Sequence, residues 1–250
     1  MQLYCLCFHW HKYRLMLTMQ LKAIIFDVDG TLADTEQFGH LPACNAAMKK
    51  LDLDIKWTWK EYIEMLHTIP GNVNRFKNVL QKKGFDENQI ETLASQFAAL
   101  KKSFYIHEFL PQLKLRAGEE NLIKECIAYK VRLAIVSTSY ESQIKALLNS
   151  HLNKYQKFFH PILGKETGKK TNNDGYLHKK CLDILKIKPR EAIVIEDAND
   201  GLIAALSANI PTAVFYNDYT FGSEFAGAKL VAPSLEYFNL KQLQHILLNS

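Results

Sequence analysis

Short apolar runs recur along this chain at the spacing of an alternating α/β architecture, and they limit its fold more than any other feature. KAIIFDV (22–28), VRLAIVS (131–137), AIVIED (192–197) and TAVFY (212–216) are bounded by polar and turn residues and read as core strands. KLVA (229–232) is a weaker run, and FFHPIL (158–163) a doubtful short strand. Helical patterns lie between them: GEENLIKECIAYK, ESQIKALLNSHL, YLHKKCLDILKI and DGLIAALSA, the last two stopped near Pro189 and Pro211. Strands that are apolar on both faces and alternate with helices imply a parallel sheet covered on both sides. The predicted class is α/β, a parallel-sheet core flanked by helices.

Residues from about Asp34 to Ile106 break this rhythm. They hold no convincing strand and offer helices near 36–51, 58–67, 72–83 and 87–105. An all-helical insert right after the first strand reads as a second small domain. The expected division is a core of 19–34 and 106–250 around a helical domain of 35–105. The leading segment MQLYCLCFHWHKYRLMLT (1–18) precedes a second methionine, Met19. It lacks the leading charge and cleavage site of a signal peptide, so it reads as an upstream extension outside the fold.

The net charge is +5, and Lys12 and Arg14 in that extension supply two of those charges. The balance is too weak to argue for nucleic acid, and no zinc-ligand spacing supports it. No apolar run approaches a membrane span. The five cysteines (Cys5, Cys7, Cys44, Cys126 and Cys181) are odd in number and scattered, which argues against a disulfide framework and fits a reducing cytoplasm.

Ligands of parallel α/β sheets bind beyond the C-terminal strand ends. Four polar signals fall there: Asp27 and Asp29 after the first strand; Ser137, Thr138 and Ser139 after RLAIV; Lys169 and Lys170 before YLHKKCLDIL; Glu196 and Asp197 closing AIVI. Each alone is ordinary, since Ser-Thr-Ser and Glu-Asp turns often serve as helix caps and loop lysines are usually solvated. Together they make a phosphate-transfer site. Several carboxylates in one place need a hard cation, and Mg2+ takes oxygen ligands while gripping a substrate phosphate. Asp27 could attack phosphorus, Asp29 could move the proton, and Ser137 with a lysine could hold the transferring oxygens.

The same residues resemble the haloacid dehalogenase superfamily. DVDGT looks like its first motif, RLAIVS its second, KKTNNDGYL its third and AIVIEDANDGLIAA its fourth, from about Lys22 to Pro233. The resemblance implies a Rossmann-like core, a Mg2+ site, an aspartyl-phosphate intermediate and a type-1 helical cap. It makes Asp27 the nucleophile and a metal ligand, and Asp29 the general acid/base with its backbone carbonyl on the metal. It also makes Ser137 a phosphate ligand, Lys170 the third-motif lysine with Lys169 its one-residue-off rival, and Glu196 and Asp197 the remaining metal ligands. Thr171 and Asn173 stand where that motif usually has prolines, and Ala117 where the proline of Arg-Pro-Gly is common.

Within the insert, ADTEQFGHLPACNAAMKKLDLDIKWTWKEYIEML resembles the CbbY and β-phosphoglucomutase-like branch, which includes sugar-bisphosphate phosphatases. Glu36, His40, Asn45, Trp59 and Tyr62 fall on recurring positions there, and Arg75 survives in GNVNR. Leu41 stands where that branch usually has arginine, and Val73 where it has lysine. Two cations for a second phosphate are thus missing, and a sugar or polyol monophosphate is the expected substrate. Glu36, His40 and Arg75, with Thr138 and Ser139, are the expected substrate contacts, whereas Trp59 and Tyr62 read as packing. The expected protein is a cytoplasmic, monomeric, Mg2+-dependent phosphatase of a small phosphorylated metabolite, with no nucleic-acid or membrane partner. The alternatives are a phosphomutase sharing every core motif and a regulatory protein on a silent core.

Overall fold

A computed structural model of the chain describes residues 21–171 and 174–248. The 1–18 extension, Cys5, Cys7 and Asn173 lie outside the described residues. The chain forms two compact units. One comprises the described residues up to Leu32 and those from Leu115 on; the other is Ala33–Lys114.

The first unit is built on a six-stranded sheet: β1 (Ala23–Phe26), β2 (Arg132–Val136), β3 (Phe159–Leu163), β4 (Ala192–Glu196), β5 (Thr212–Phe215) and β6 (Leu230–Ala232). Every adjacent pair is parallel, in the order β3-β2-β1-β4-β5-β6. The chain winds outward from β1 to β3, returns to β4 on the other side of β1, and continues to β6. The winding direction therefore reverses between β1 and β4, where such sheets open a crevice at their C-terminal ends.

All four β1 residues are fully buried, as are Ile193, Val194 and Ile195 of β4. Burying each such side chain contributes roughly 1.5–3 kcal/mol, which explains runs that are apolar on both faces. Alternate residues Ala23, Ile25, Ala134 and Val136 share one core cluster with Leu177 and Cys181. Those two belong to a helix over Tyr176–Leu185. A second helix, Asn199–Leu206, follows β4 and brings Ala205 to the same cluster.

The second unit contains α1 (Leu41–Lys50), α2 (Trp59–Thr68), α3 (Asn72–Lys82) and α4 (Glu87–Phe104). Its helix starts have local causes. Thr58 accepts from Glu61 N–H at 3.3 Å while Glu61 accepts from Thr58 N–H at 2.8 Å, and Asp86 and Gln89 form the same reciprocal cap. Trp57, Tyr62, Phe76 and Phe97 fill a separate core, with Phe76 and Phe97 stacked at 4.1 Å. Two π turns, Glu36–His40 and Tyr105–Phe109, were not legible in the sequence. Each runs into a Leu-Pro pair, Leu41-Pro42 or Leu110-Pro111, where proline lacks the N–H that would continue an α ladder.

Cys44, Cys126 and Cys181 are buried free thiols, each pushed up to about 12 by burial. No helix among the described residues is long and apolar enough to cross a membrane.

Candidate active site

Asp27 leaves β1 beside β4, its N–H donating to Ile195 carbonyl at 3.0 Å. The following turn needs glycine: Gly30 has φ +81°, and a Cβ there would lie 2.2 Å from Asp197 Oδ2 and 2.1 Å from Tyr219 Oη. Glu196 ends β4 and Asp197 follows it, both buried. A Cβ at Gly201 would lie 2.2 Å from the Glu196 carboxylate, so the Asn199–Leu206 helix also makes room for this cluster. One carboxylate oxygen each from Asp27, Glu196 and Asp197 lie within 4.8 Å of one another.

Lys170 is buried and ion-paired. Its Nζ donates to Asp27 Oδ1 at 2.6 Å and also to Glu196 Oε1. Lys169, its neighbour, is exposed. Ser137 is buried, and its Oγ accepts from Ser139 N–H at 3.1 Å. Ser139 Oγ in turn donates to Asp29 Oδ2, which ties the second aspartate to the end of β2. Thr138 is exposed.

Lys170 thus bridges two of the three buried carboxylates, and the charges in the cluster conflict. Burial raises Asp27, with Asp29 adding to the effect and Lys170 opposing it. Burial pushes Glu196 up to about 8 and Asp197 up to about 7, each helped by the Asp27 charge. Burial alone would lower Lys170, but Asp27 and Glu196 overcome it and hold the ammonium charged. An all-oxygen, net-negative, desolvated donor set fits a hard divalent cation.

This predicts an opposite-signed pH response with and without metal. Unfolded carboxylates titrate near pH 4, so between about pH 4 and 8 the folded state keeps protons that the unfolded chain has released. Without metal, the contribution of Glu196 and Asp197 to stability should fall as pH rises through that window. Mg2+ takes the place of those protons, so its stabilisation should grow with pH. Melting curves with saturating Mg2+ and with EDTA, at about pH 6 and about pH 8.5, should show the larger Mg2+ shift at the higher pH. Equal shifts would remove the carboxylates as the ligands.

Several contributors went unseen in the sequence. Arg116 Nη1 donates to the carbonyls of Gly30 and Phe215, and Nη2 to Tyr216 carbonyl at 2.8 Å, tying the β1 turn to the end of β5. Thr31, Asn217 and Tyr219 all donate to Asp197. Asn217 and Tyr219 follow the C-terminal end of β5, so the strand-end rule pointed to them, but NDYT reads as an ordinary turn.

The helical unit holds the other expected substrate contacts in two groups. Tyr62 Oη lies 2.6 Å from Glu36 Oε2. Arg75 donates from Nη1 to Asn72 Oδ1 at 2.8 Å and to Tyr62 Oη at 3.2 Å, and from Nε to Ile69 carbonyl at 2.8 Å. Separately, Lys101 Nζ lies 2.9 Å from His40 Nδ1, and His40 stacks on Tyr105. An ammonium only donates, so in this contact His40 Nδ1 is the accepting atom. Asn45 is structural, its amide bonded to both backbone groups of Trp57 at 2.9 and 2.8 Å.

Known proteins resemble this chain in sequence and fold. The family model of haloacid dehalogenase-like hydrolases matches residues 24–215. A plasmid form of protein CbbY from Cupriavidus necator is 34% identical over 221 residues, covering 86% of each chain. A phosphorylated carbohydrates phosphatase from Thermotoga maritima is 25% identical, covering 76% of this chain and 82% of its own. The crystal structure of CbbY from Rhodobacter sphaeroides in complex with phosphate superposes with a TM-score of 0.76 at 30% identity, covering 90% of this chain and 99% of that one. A mutant of the same protein, crystallised with xylulose-1,5-bisphosphate, superposes at 0.72 with 29% identity and the same coverage. With the sheet order, the strand-end acids and these likenesses in agreement, the chain belongs to the haloacid dehalogenase-like hydrolases, as a phosphatase of their CbbY branch.

Proposed function

We propose that this protein hydrolyses a small sugar or polyol monophosphate through an aspartyl-phosphate on Asp27. The observation that carries the reading is the buried cluster of Asp27, Glu196 and Asp197, with Lys170 bonded to the first two, at the point where the strand order reverses. An Asp27 oxygen attacks phosphorus and the bond from phosphorus to the sugar oxygen breaks. Asp29, oriented by Ser139, gives its proton to the departing alkoxide. The Asp29 carboxylate then takes a proton from water, the water oxygen attacks phosphorus, and the bond to Asp27 breaks to release phosphate. Lys170 and Ser137 hold the phosphoryl oxygens. Mg2+ held by Asp27, Glu196 and Asp197, with the Asp29 carbonyl, would offset repulsion between the carboxylates and a phosphate dianion.

The monophosphate reading draws on Leu41 and Val73, which replace two cations, and on Arg75, three of whose hydrogen bonds go to its own unit. A bisphosphate is the second reading, favoured by Lys101, a cation placed beside His40. Phosphate release from matched sugar monophosphates and bisphosphates, with Mg2+, decides between them. We expect kcat/KM at least about tenfold higher for a monophosphate, equivalent to about 1.4 kcal/mol. The reverse order would restore the bisphosphate. No release from either, with isomerisation of a hexose 1-phosphate, would replace hydrolysis with a mutase.

A further inference from the structure

We propose that Asn217 and Tyr219 set the metal preference of the site by holding Asp197 to coordination through one oxygen, which suits Mg2+ and disfavours Ca2+. This rests on the cation reading above and adds a cause for its selectivity.

Asp197 Oδ2 accepts two hydrogen bonds, from Asn217 Nδ2 at 2.8 Å and Tyr219 Oη at 3.0 Å. Both donors come from the segment after β5, the strand next to β4. Oδ1 accepts from Thr31 Oγ1 at a longer 3.2 Å. The Asn217 amide is oriented by its surroundings. Its Oδ1 accepts from Thr220 N–H at 3.1 Å and from Thr220 Oγ1 at 3.0 Å, which leaves the NH2 group facing Asp197. The Asn217 Nδ2 also lies 3.4 Å from Gly30 carbonyl. Gly30 has no side chain where the three groups meet, since a Cβ there would lie within 2.9 Å of Asp197 Oδ2, Tyr219 Oη and Asn217 Nδ2 alike. The first-strand turn is thus shaped around this junction.

An oxygen with two strong donors has both lone pairs engaged, so Oδ1 is the atom left for a cation. Mg2+ requires near-octahedral geometry and accepts single-oxygen carboxylates. Ca2+ takes six to eight oxygens and often binds a carboxylate through both. Freeing Oδ2 would let Asp197 turn toward two-oxygen binding and relax the preference. A loop that Asn217 and Tyr219 merely stiffen would weaken both cations alike.

The test is calorimetric titration of the full chain, without substrate, using MgCl2 and CaCl2 separately. The proteins are the parent, Tyr219→Phe, Asn217→Ala and the double variant. In the double variant the Mg2+ Kd should rise about 10–100-fold. The Ca2+ Kd should hold or fall, so that the Ca2+/Mg2+ ratio of dissociation constants narrows at least about tenfold. Tyr219→Phe removes one hydroxyl and should narrow it in the same direction, so it carries the test if the double variant fails to fold. An unmoved ratio, or equal weakening of both cations, overturns the proposal while leaving the cation site intact. A parent that binds no Mg2+ overturns both.

Discussion

Asp27→Asn should lower phosphate release by about 10⁴-fold or more and at the same time raise the melting temperature of the metal-free protein. The first effect follows from the amide, which is a poor nucleophile at phosphorus. The second follows from the charge count. Asp27 is buried and its carboxyl is raised by that burial and by Asp29, so its ionised form opposes folding at neutral pH. The amide removes a buried carboxylate that its acidic neighbours repel, and Lys170 keeps its bond to Glu196. A gain of about 1 kcal/mol, roughly 2–4 °C at this chain length, is the expected scale. Single-turnover phosphate release and melting in EDTA measure the two effects. Activity within tenfold of the parent would remove Asp27 as nucleophile. A lower melting point would mean that its bond to Lys170 outweighs the repulsion.

Lys170→Met should act in the opposite direction on stability and the same direction on turnover. It leaves the buried Asp27 and Glu196, with Asp197 close by, without the ammonium that bridges the first two. Breaking one side of a buried ion pair costs about 3–5 kcal/mol, or roughly 10 °C here. The deficit should shrink near pH 5.5, below about 8 for Glu196 and about 7 for Asp197, because both are then protonated. Turnover at saturating Mg2+ should fall about 10²–10³-fold as a charge on the phosphoryl oxygens is lost. Lys169→Met is the control. That side chain is exposed, and its removal should change stability by no more than about 0.5 kcal/mol. If the two variants behaved alike, the assignment of position 170 would be wrong.

The strands that were easiest to read are the central ones, because β1, β2 and β4 are apolar on both faces. The two weak runs became β3 and β6, the edges of the sheet. An edge tolerates Pro161, which cannot donate to a ladder, and a three-residue strand such as β6. The acids were legible because strand ends are positions of chemistry in this architecture. A one-residue ambiguity such as Lys169 against Lys170 has no local signature; burial separates them. Arg116, Asn217, Tyr219 and Lys101 were not legible because their roles come from contacts with distant segments. Arg116 bonds carbonyls about a hundred positions away.

One hydrogen bond bears on how such proteins diversify. Arg116 N–H donates to Leu32 carbonyl at 2.9 Å, so the chain leaves and re-enters the sheet-bearing unit at neighbouring positions. To the rest of that unit, the intervening residues behave topologically as a loop whose ends are already joined. Loop-closure entropy rises only slowly with length, so exchanging or resizing the inserted segment costs the sheet little. The inserted helices keep a hydrophobic core of their own, so mutations there need not disturb the packing of the strands. The two units can then change at separate rates, each around its own core, with the Leu32–Arg116 bond keeping the ends of the insertion joined.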